Sequence, residues 1–75
     1  MNTDQFLDAK GLACPMPIVR TKKAMDELSS GQVLEVHATD KGAKNDIAAW
    51  VQSGGHELLK QEEENDVLKF WIQKG

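Results

Sequence analysis

Gly11-Leu12-Ala13-Cys14-Pro15-Met16-Pro17 places a glycine, a cysteine and two prolines within seven residues, and the cysteine is the only one in the chain. Proline fixes φ near the helical value and carries no N–H, a combination that suits the first turn of a helix and almost no other helical position. The residue before a proline is driven to extended geometry, as an N-cap requires. The stretch therefore predicts a strand-to-helix turn. Its helix begins at Pro15 with Cys14 as N-cap, or at Pro17 with Met16 as N-cap. In either register Cys14 stands at the helix entrance, where unpaired N–H groups and the positive end of the helix dipole favour an anion. With Cys14 as the cap, the donors left to a sulfur anion are the N–H groups of Met16 and Ile18. The expectation is a thiolate. A free cysteine is also among the most buried residue types and commonly acts as a small hydrophobe. The flanking glycine and prolines place this one in a turn and favour the reactive alternative.

Working outward, Phe6-Leu7-Asp8-Ala9 is a short strand ending before Gly11. From Pro15 to about Ser29, Ile18, Thr21, Ala24, Met25 and Leu28 recur at helical spacing, with Arg20, Lys22, Lys23 and Glu27 on the other side. Ser29-Ser30-Gly31 stops this helix, and Val33–Thr39 alternates as a strand with Leu34, Val36 and Ala38 on one face. Asp40-Lys41-Gly42-Ala43 is a turn and cap signal with Asp40 as the expected cap, the other reading being that Asp40 helps orient partners near the Cys14 loop. Ala43, Ile47, Trp50 and Val51 then mark a second helix closed by Gly54-Gly55. His56–Gln61 and Val67–Gln73 are two further strands, joined through Glu63-Glu64-Asn65-Asp66. In the last strand Leu68, Phe70 and Ile72 share one face, and Trp71 lies on the other with Val67 and Lys69. The order is βαβαββ, an α+β arrangement. Right-handed crossovers running in one direction put both helices on the same face of a four-stranded sheet.

With 75 residues, residues 1–75 are expected to form one domain that buries only about 60% of its unfolded surface, which places function on the outside. No apolar run reaches the length of a membrane span, and Met1-Asn2-Thr3-Asp4-Gln5 lacks the basic and apolar regions of a signal peptide. The expectation is a cytoplasmic protein without membrane insertion. One cysteine excludes an internal disulfide. A net charge of -3 argues against broad, phosphate-driven nucleic-acid binding. Lys10, Arg20, Lys22 and Lys23 surround the Cys14 segment, while Glu57, Glu62, Glu63, Glu64 and Asp66 gather toward the C-terminus, so the thiol is expected in the basic half. Basic neighbours lower a thiol pKa and suit an acidic partner surface, although a solvated helix face accounts for them equally well. His37 and His56 have no ligand-type spacing with Cys14, and neither a metal nor another cofactor is expected. Asp8 reads as a solvated turn residue, the other reading being that it modulates the thiol.

Leu7-Asp8-Ala9-Lys10-Gly11-Leu12-Ala13-Cys14-Pro15-Met16-Pro17, followed by Lys22-Lys23-Ala24-Met25, Gly31, Leu34-Glu35-Val36, Thr39-Asp40 and Gly55-His56, resembles the TusA/SirA family of sulfur carriers. The Cys-Pro-x-Pro signature after a Gly-Leu-x turn is specific, and the landmarks span nearly the whole chain in order. The resemblance implies a two-layer α/β sandwich with a mixed sheet, and Cys14 as the residue that bears a persulfide, supported by Lys10, Gly11, Pro15 and Pro17. Lys10 stands where many members have arginine, which keeps the charge and loses the fork geometry. The implied partners are a sulfur donor, of cysteine desulfurase or rhodanese type, and an acceptor protein. Thiolation of tRNA, molybdenum-cofactor synthesis, sulfur oxidation and sulfur-compound uptake are all open as destinations.

The chemistry of the residues agrees with that role. A second nearby thiol would attack a persulfide and release sulfide, so a lone cysteine protects the cargo. Two other classes stay open: a regulatory or protein-interaction module, and a thiol redox sensor that lacks a resolving cysteine. An autonomous thiol enzyme has no histidine base placed beside Cys14 by the sequence.

Overall fold

Period-two alternation along the strands and helical spacing between them build one sheet and one helical layer. A computed structural model describes residues 3–75. The elements are β1 (Gln5–Ala9), α1 (Met16–Asp26), β2 (Val33–Ala38), α2 (Ala43–Ser53), β3 (Glu57–Glu64) and β4 (Val67–Gln73). The sheet order is β1-β2-β4-β3, with β1 parallel to β2 and β4 antiparallel to both of its neighbours. Both crossovers, β1-α1-β2 and β2-α2-β3, advance the same way across the sheet, and right-handed connections then bring α1 and α2 to one face. The expected two-layer α+β fold with a mixed four-stranded sheet is the observed one.

The β2-β4 ladder sets Leu34 opposite Ile72, Val36 opposite Phe70 and Ala38 opposite Leu68, all turned toward the helices. Met25 from α1 and Ile47 and Val51 from α2 close over them, and Phe70, Leu34, Val36, Ile47 and Ile72 are fully buried. Each such side chain contributes on the order of 1.5–3 kcal/mol by leaving water. Thr21 is the one buried polar residue among those described. Its hydroxyl donates to the Pro17 carbonyl at 2.7 Å, which satisfies it and fixes the first turn of α1.

Several boundaries differ from the sequence expectation, three of them at the C-terminal ends of elements. α1 ends at Asp26 and not near Ser29, because the N–H groups of Glu27 and Leu28 bond three residues back, to Ala24 and Met25, and tighten the chain out of the α-helix. Leu28 nevertheless stays buried, so the apolar face outlasts the helix. β2 ends at Ala38, leaving Thr39 free for the loop. β3 runs on to Glu64, whereas composition alone places Glu63 and Glu64 in the connection. Glu62, Glu63 and Glu64 pair with Lys69, Leu68 and Val67, and a two-residue turn at Asn65-Asp66, both at positive φ, closes the hairpin. The acidic run lies on an edge strand, where charge discourages pairing with other chains.

The face without helices carries Glu35, His37, Lys69 and Trp71, with Phe6 beside them. Trp71 is half-buried there, as its alternation with Phe70 and Ile72 requires. The Glu35 carboxylate accepts from Thr3 Oγ1, His37 Nε2 and Trp71 Nε1 at 3.1, 2.6 and 3.1 Å.

Candidate functional site

The connection from β1 to α1 is shaped by bonds to the connection from β2 to α2. Ala9 ends β1 fully buried, and the Lys10 N–H donates to Asp8 Oδ1 at 3.0 Å, closing a turn in which Asp8 takes the solvated role expected of it. Gly11 follows at φ +82, a conformation that favours glycine, and its N–H donates to Thr39 Oγ1 at 2.9 Å. Leu12 then turns inward against the core. The Cys14 N–H donates to Asp40 Oδ2 at 2.9 Å. The other oxygen of Asp40 accepts from the Gly42 N–H at 3.3 Å, and its carbonyl accepts from Ala43 at 3.0 Å. One aspartate therefore organises both helix entrances.

This geometry corrects the expected cap assignments. α1 begins at Met16 with Pro15 in the N-cap position, and neither Cys14 nor Met16 caps it. The Cys14-Pro15 peptide is cis. The Met16 N–H bonds to the Ala13 carbonyl at 2.9 Å and so is not offered to the sulfur. Pro17, fully buried, anchors the helix start, while Pro15 is exposed. Asp40 does not cap α2 either. Gly42 occupies the N-cap, and Asp40 lies two residues earlier, bracing the turn into it.

The charge around the thiol is likewise the reverse of the expected basic setting. Cys14 is exposed, and its Sγ donates to Asp46 Oδ2, in the first turn of α2, at 3.5 Å. That hydrogen bond, followed by desolvation and by the charges of Asp46 and Asp40, pushes the thiol pKa up. This setting favours the thiol over the thiolate, against the expectation from the helix entrance. The lysines counted as neighbours in sequence do not act on it. Lys10 is exposed and forms no ion pair among the described residues, and the side chains of Arg20 and Lys23 line a shallow groove of about 190 Å³ between β1 and α1 that excludes Cys14.

Of the residues singled out from sequence, the fold brings Gly11, Cys14, Pro15 and Pro17 into one loop and helix start, with Lys10 at its edge. His37 is held by Glu35, and His56 Nδ1 accepts from the Gly75 N–H while its ring packs against Trp50. Asp46 was missed, because an acid in the first turn of a helix is already explained by the dipole. Thr39 reads as the end of a strand until its hydroxyl is seen to meet Gly11. On α1, Met16 and Val19 are exposed large apolar side chains, with 38% and 48% of their surface open. Among the described residues no helix is long and apolar enough to cross a membrane.

The chain is similar to known proteins over nearly its whole length. The family model described as sulfurtransferase TusA matches residues 5–74. The chain is similar to YrkI of Bacillus subtilis, a candidate sulfur carrier by name, at 77% identity over the full length of both chains. It is 49% identical to the sulfur carrier protein TusA of Allochromatium vinosum, covering 95% of this chain and 93% of that one. A crystal structure of a SirA-like protein from Desulfitobacterium hafniense superposes with a TM-score of 0.84 at 29% identity, covering 95% of this chain and 97% of the other. A match over nearly every residue, together with the same two-layer fold, means that the chain belongs to the TusA family of sulfur carriers.

Proposed function

We propose that this TusA-family sulfur carrier bears its cargo as a persulfide on Cys14, accepting sulfane sulfur from a donor protein and surrendering it to an acceptor. The observation that carries the reading is the sole cysteine of the chain, exposed, on a loop fixed by the Gly11-Thr39 and Cys14-Asp40 bonds. In the loading step Cys14 sulfur attacks the terminal sulfur of the donor persulfide. A new S–S bond forms as the donor's S–S bond breaks, and the proton leaving Cys14 ends on the donor's departing thiolate. Unloading repeats the exchange with an acceptor thiol, so no external oxidant or reductant enters either step.

Gly11 supplies the turn, Pro15 and Pro17 stiffen the approach to α1, and Lys10 offers an exposed charge to partners. The donor is a cysteine desulfurase or rhodanese-type protein, and an unpaired thiol suits the reducing cytoplasm. The test is intact-mass analysis under non-reducing conditions after incubation with a cysteine desulfurase and cysteine, or with a rhodanese and thiosulfate. Wild-type protein gains one sulfur that a reductant removes, and Cys14→Ser gains none. A wild type that gains no sulfur, or a serine variant that gains it equally, defeats the proposal.

A further inference from the structure

We propose that Asp46 is a positioning residue for sulfur transfer, its carboxylate holding Cys14 of the unloaded carrier as an aimed, protonated thiol. The proposal rests on the reading of Cys14 as the sulfur-bearing residue. Its basis is geometric. Sγ donates to Asp46 Oδ2 at 3.5 Å across 32 positions of sequence, and this is the only hydrogen bond of the sulfur among the described residues. A thiol that donates to a carboxylate must carry its proton, and its direction is fixed by the acceptor.

The carboxylate sits in the first turn of α2, where the helix dipole favours an acid, but among the described residues it carries neither a capping bond nor an ion pair there. The turn before α2 is braced by Asp40, and Gly42 holds the N-cap position. Asp46 forms no ion pair among the described residues, and its backbone N–H is used separately, bonding to the Gly42 carbonyl at 3.2 Å. The charges that act on Cys14 are those of Asp46 from α2 and Asp40 from the connection before it, and no basic group contributes, whether Lys10, Arg20, Lys22 and Lys23 of the first crossover or Lys41 and Lys44 beside the two aspartates. Since the thiolate is the nucleophile, a carrier held in this way is slow toward stray electrophiles and oxidants. It loses its proton when a docked donor changes the charge around the site. In loading, that proton leaves the Asp46 hydrogen bond and finishes on the donor's departing thiolate, which balances the exchange.

The experiment is the rate of alkylation by iodoacetamide, a neutral electrophile, as a function of pH, on wild type, Asp46→Asn and Asp46→Glu, each shown to be folded by circular dichroism. The midpoint of Asp46→Asn falls below that of wild type. Its rate at neutral pH rises roughly threefold for each unit of that fall, because a larger thiolate fraction outweighs the lower nucleophilicity of a more acidic thiol. Asp46→Glu, which keeps the charge, restores a midpoint above that of the asparagine variant. Asp40→Asn lowers the midpoint by less than Asp46→Asn. An unchanged midpoint in folded Asp46→Asn, a glutamate variant no higher than asparagine, or a larger effect at Asp40 overturns the assignment. Alkylation needs no donor, so a wild type that fails to load sulfur would sink the carrier reading while leaving this profile to be judged separately.

Discussion

The backbone N–H of Cys14 and the Oδ2 of Asp40 are 2.9 Å apart, joining the loop that carries the thiol to the loop that opens α2 across 26 positions of sequence. Because the second Asp40 oxygen holds Gly42, one side chain sets the separation of the two helix entrances. The position of the sulfur is therefore a property of both crossovers and not of the Cys-Pro-Met-Pro segment alone.

Removing that side chain strands two backbone donors. Asp40→Ala lowers the free energy of unfolding by about 1.5–3 kcal/mol, the range for hydrogen bonds to a charged acceptor. Asp40→Asn loses less, since its single amide oxygen still accepts from one of the two donors, while its NH2 group cannot accept from the other. Urea titration with an unchanged slope is the check, and equal losses in the two variants would show that the charge and not the acceptor matters.

Gly11 and Thr39 test the turn itself. A Cβ at Gly11 meets nothing within 4 Å, so Gly11→Ala is penalised only by its φ of +82, at about 1–2 kcal/mol. Gly11→Asn is penalised less, because asparagine tolerates this region. Thr39→Val deletes the acceptor of the Gly11 N–H and destabilises by about 1 kcal/mol. Thermal melts rank the three, and a loss beyond about 4 kcal/mol in Gly11→Ala would mean that the loop packs more tightly than described.

Glu35 gives the fold an acid-sensitive element on its helix-free face. Desolvation raises its pKa, but the hydrogen bonds from His37, Thr3 and Trp71 and the charge of His37 outweigh it and leave the value below the ordinary 4.5. A carboxylate with a depressed folded pKa contributes stability that is complete above its unfolded pKa and is lost as pH falls through the folded one. Melting temperature in wild type should therefore decline on acidification below about pH 4.5. Glu35→Gln removes that part of the decline and is less stable than wild type at neutral pH. Parallel acid limbs for the two proteins would refute this.

Core and surface aromatics should differ sharply. Phe70 is fully buried between Val36 and the helices, and Phe70→Ala costs about 3–5 kcal/mol, a large share of the 5–15 kcal/mol typical of a domain. Phe6 is 53% exposed, and Phe6→Ala costs under about 1 kcal/mol. Chemical denaturation of both variants measures the contrast.

Much of this structure is legible in the chain because periodicity is a local signal. Leu34, Val36 and Ala38, and again Leu68, Phe70 and Ile72, alternate so regularly that the buried face of β2 and β4 is readable before any contact is known. Element ends are less legible. Glu62, Glu63 and Glu64 have the composition of a loop, yet the ladder to Lys69, Leu68 and Val67 holds them extended. The ends of α1 shift for the same reason: Pro15 and Glu27 take their conformations from neighbouring bonds as well as from their own preferences.

The sequence by itself determined the order of elements, the apolar faces and the solitary cysteine at a helix entrance, since each follows from residue type and spacing within a single segment. Only the tertiary structure decided the state of that cysteine. Lys10, Arg20, Lys22 and Lys23 are its neighbours along the chain, whereas Asp40 and Asp46 are its neighbours in space. Electrostatic and hydrogen-bond energies fall with distance through space and are indifferent to distance along the chain. The second crossover therefore brings acidic groups to a thiol that the local sequence had surrounded with basic ones.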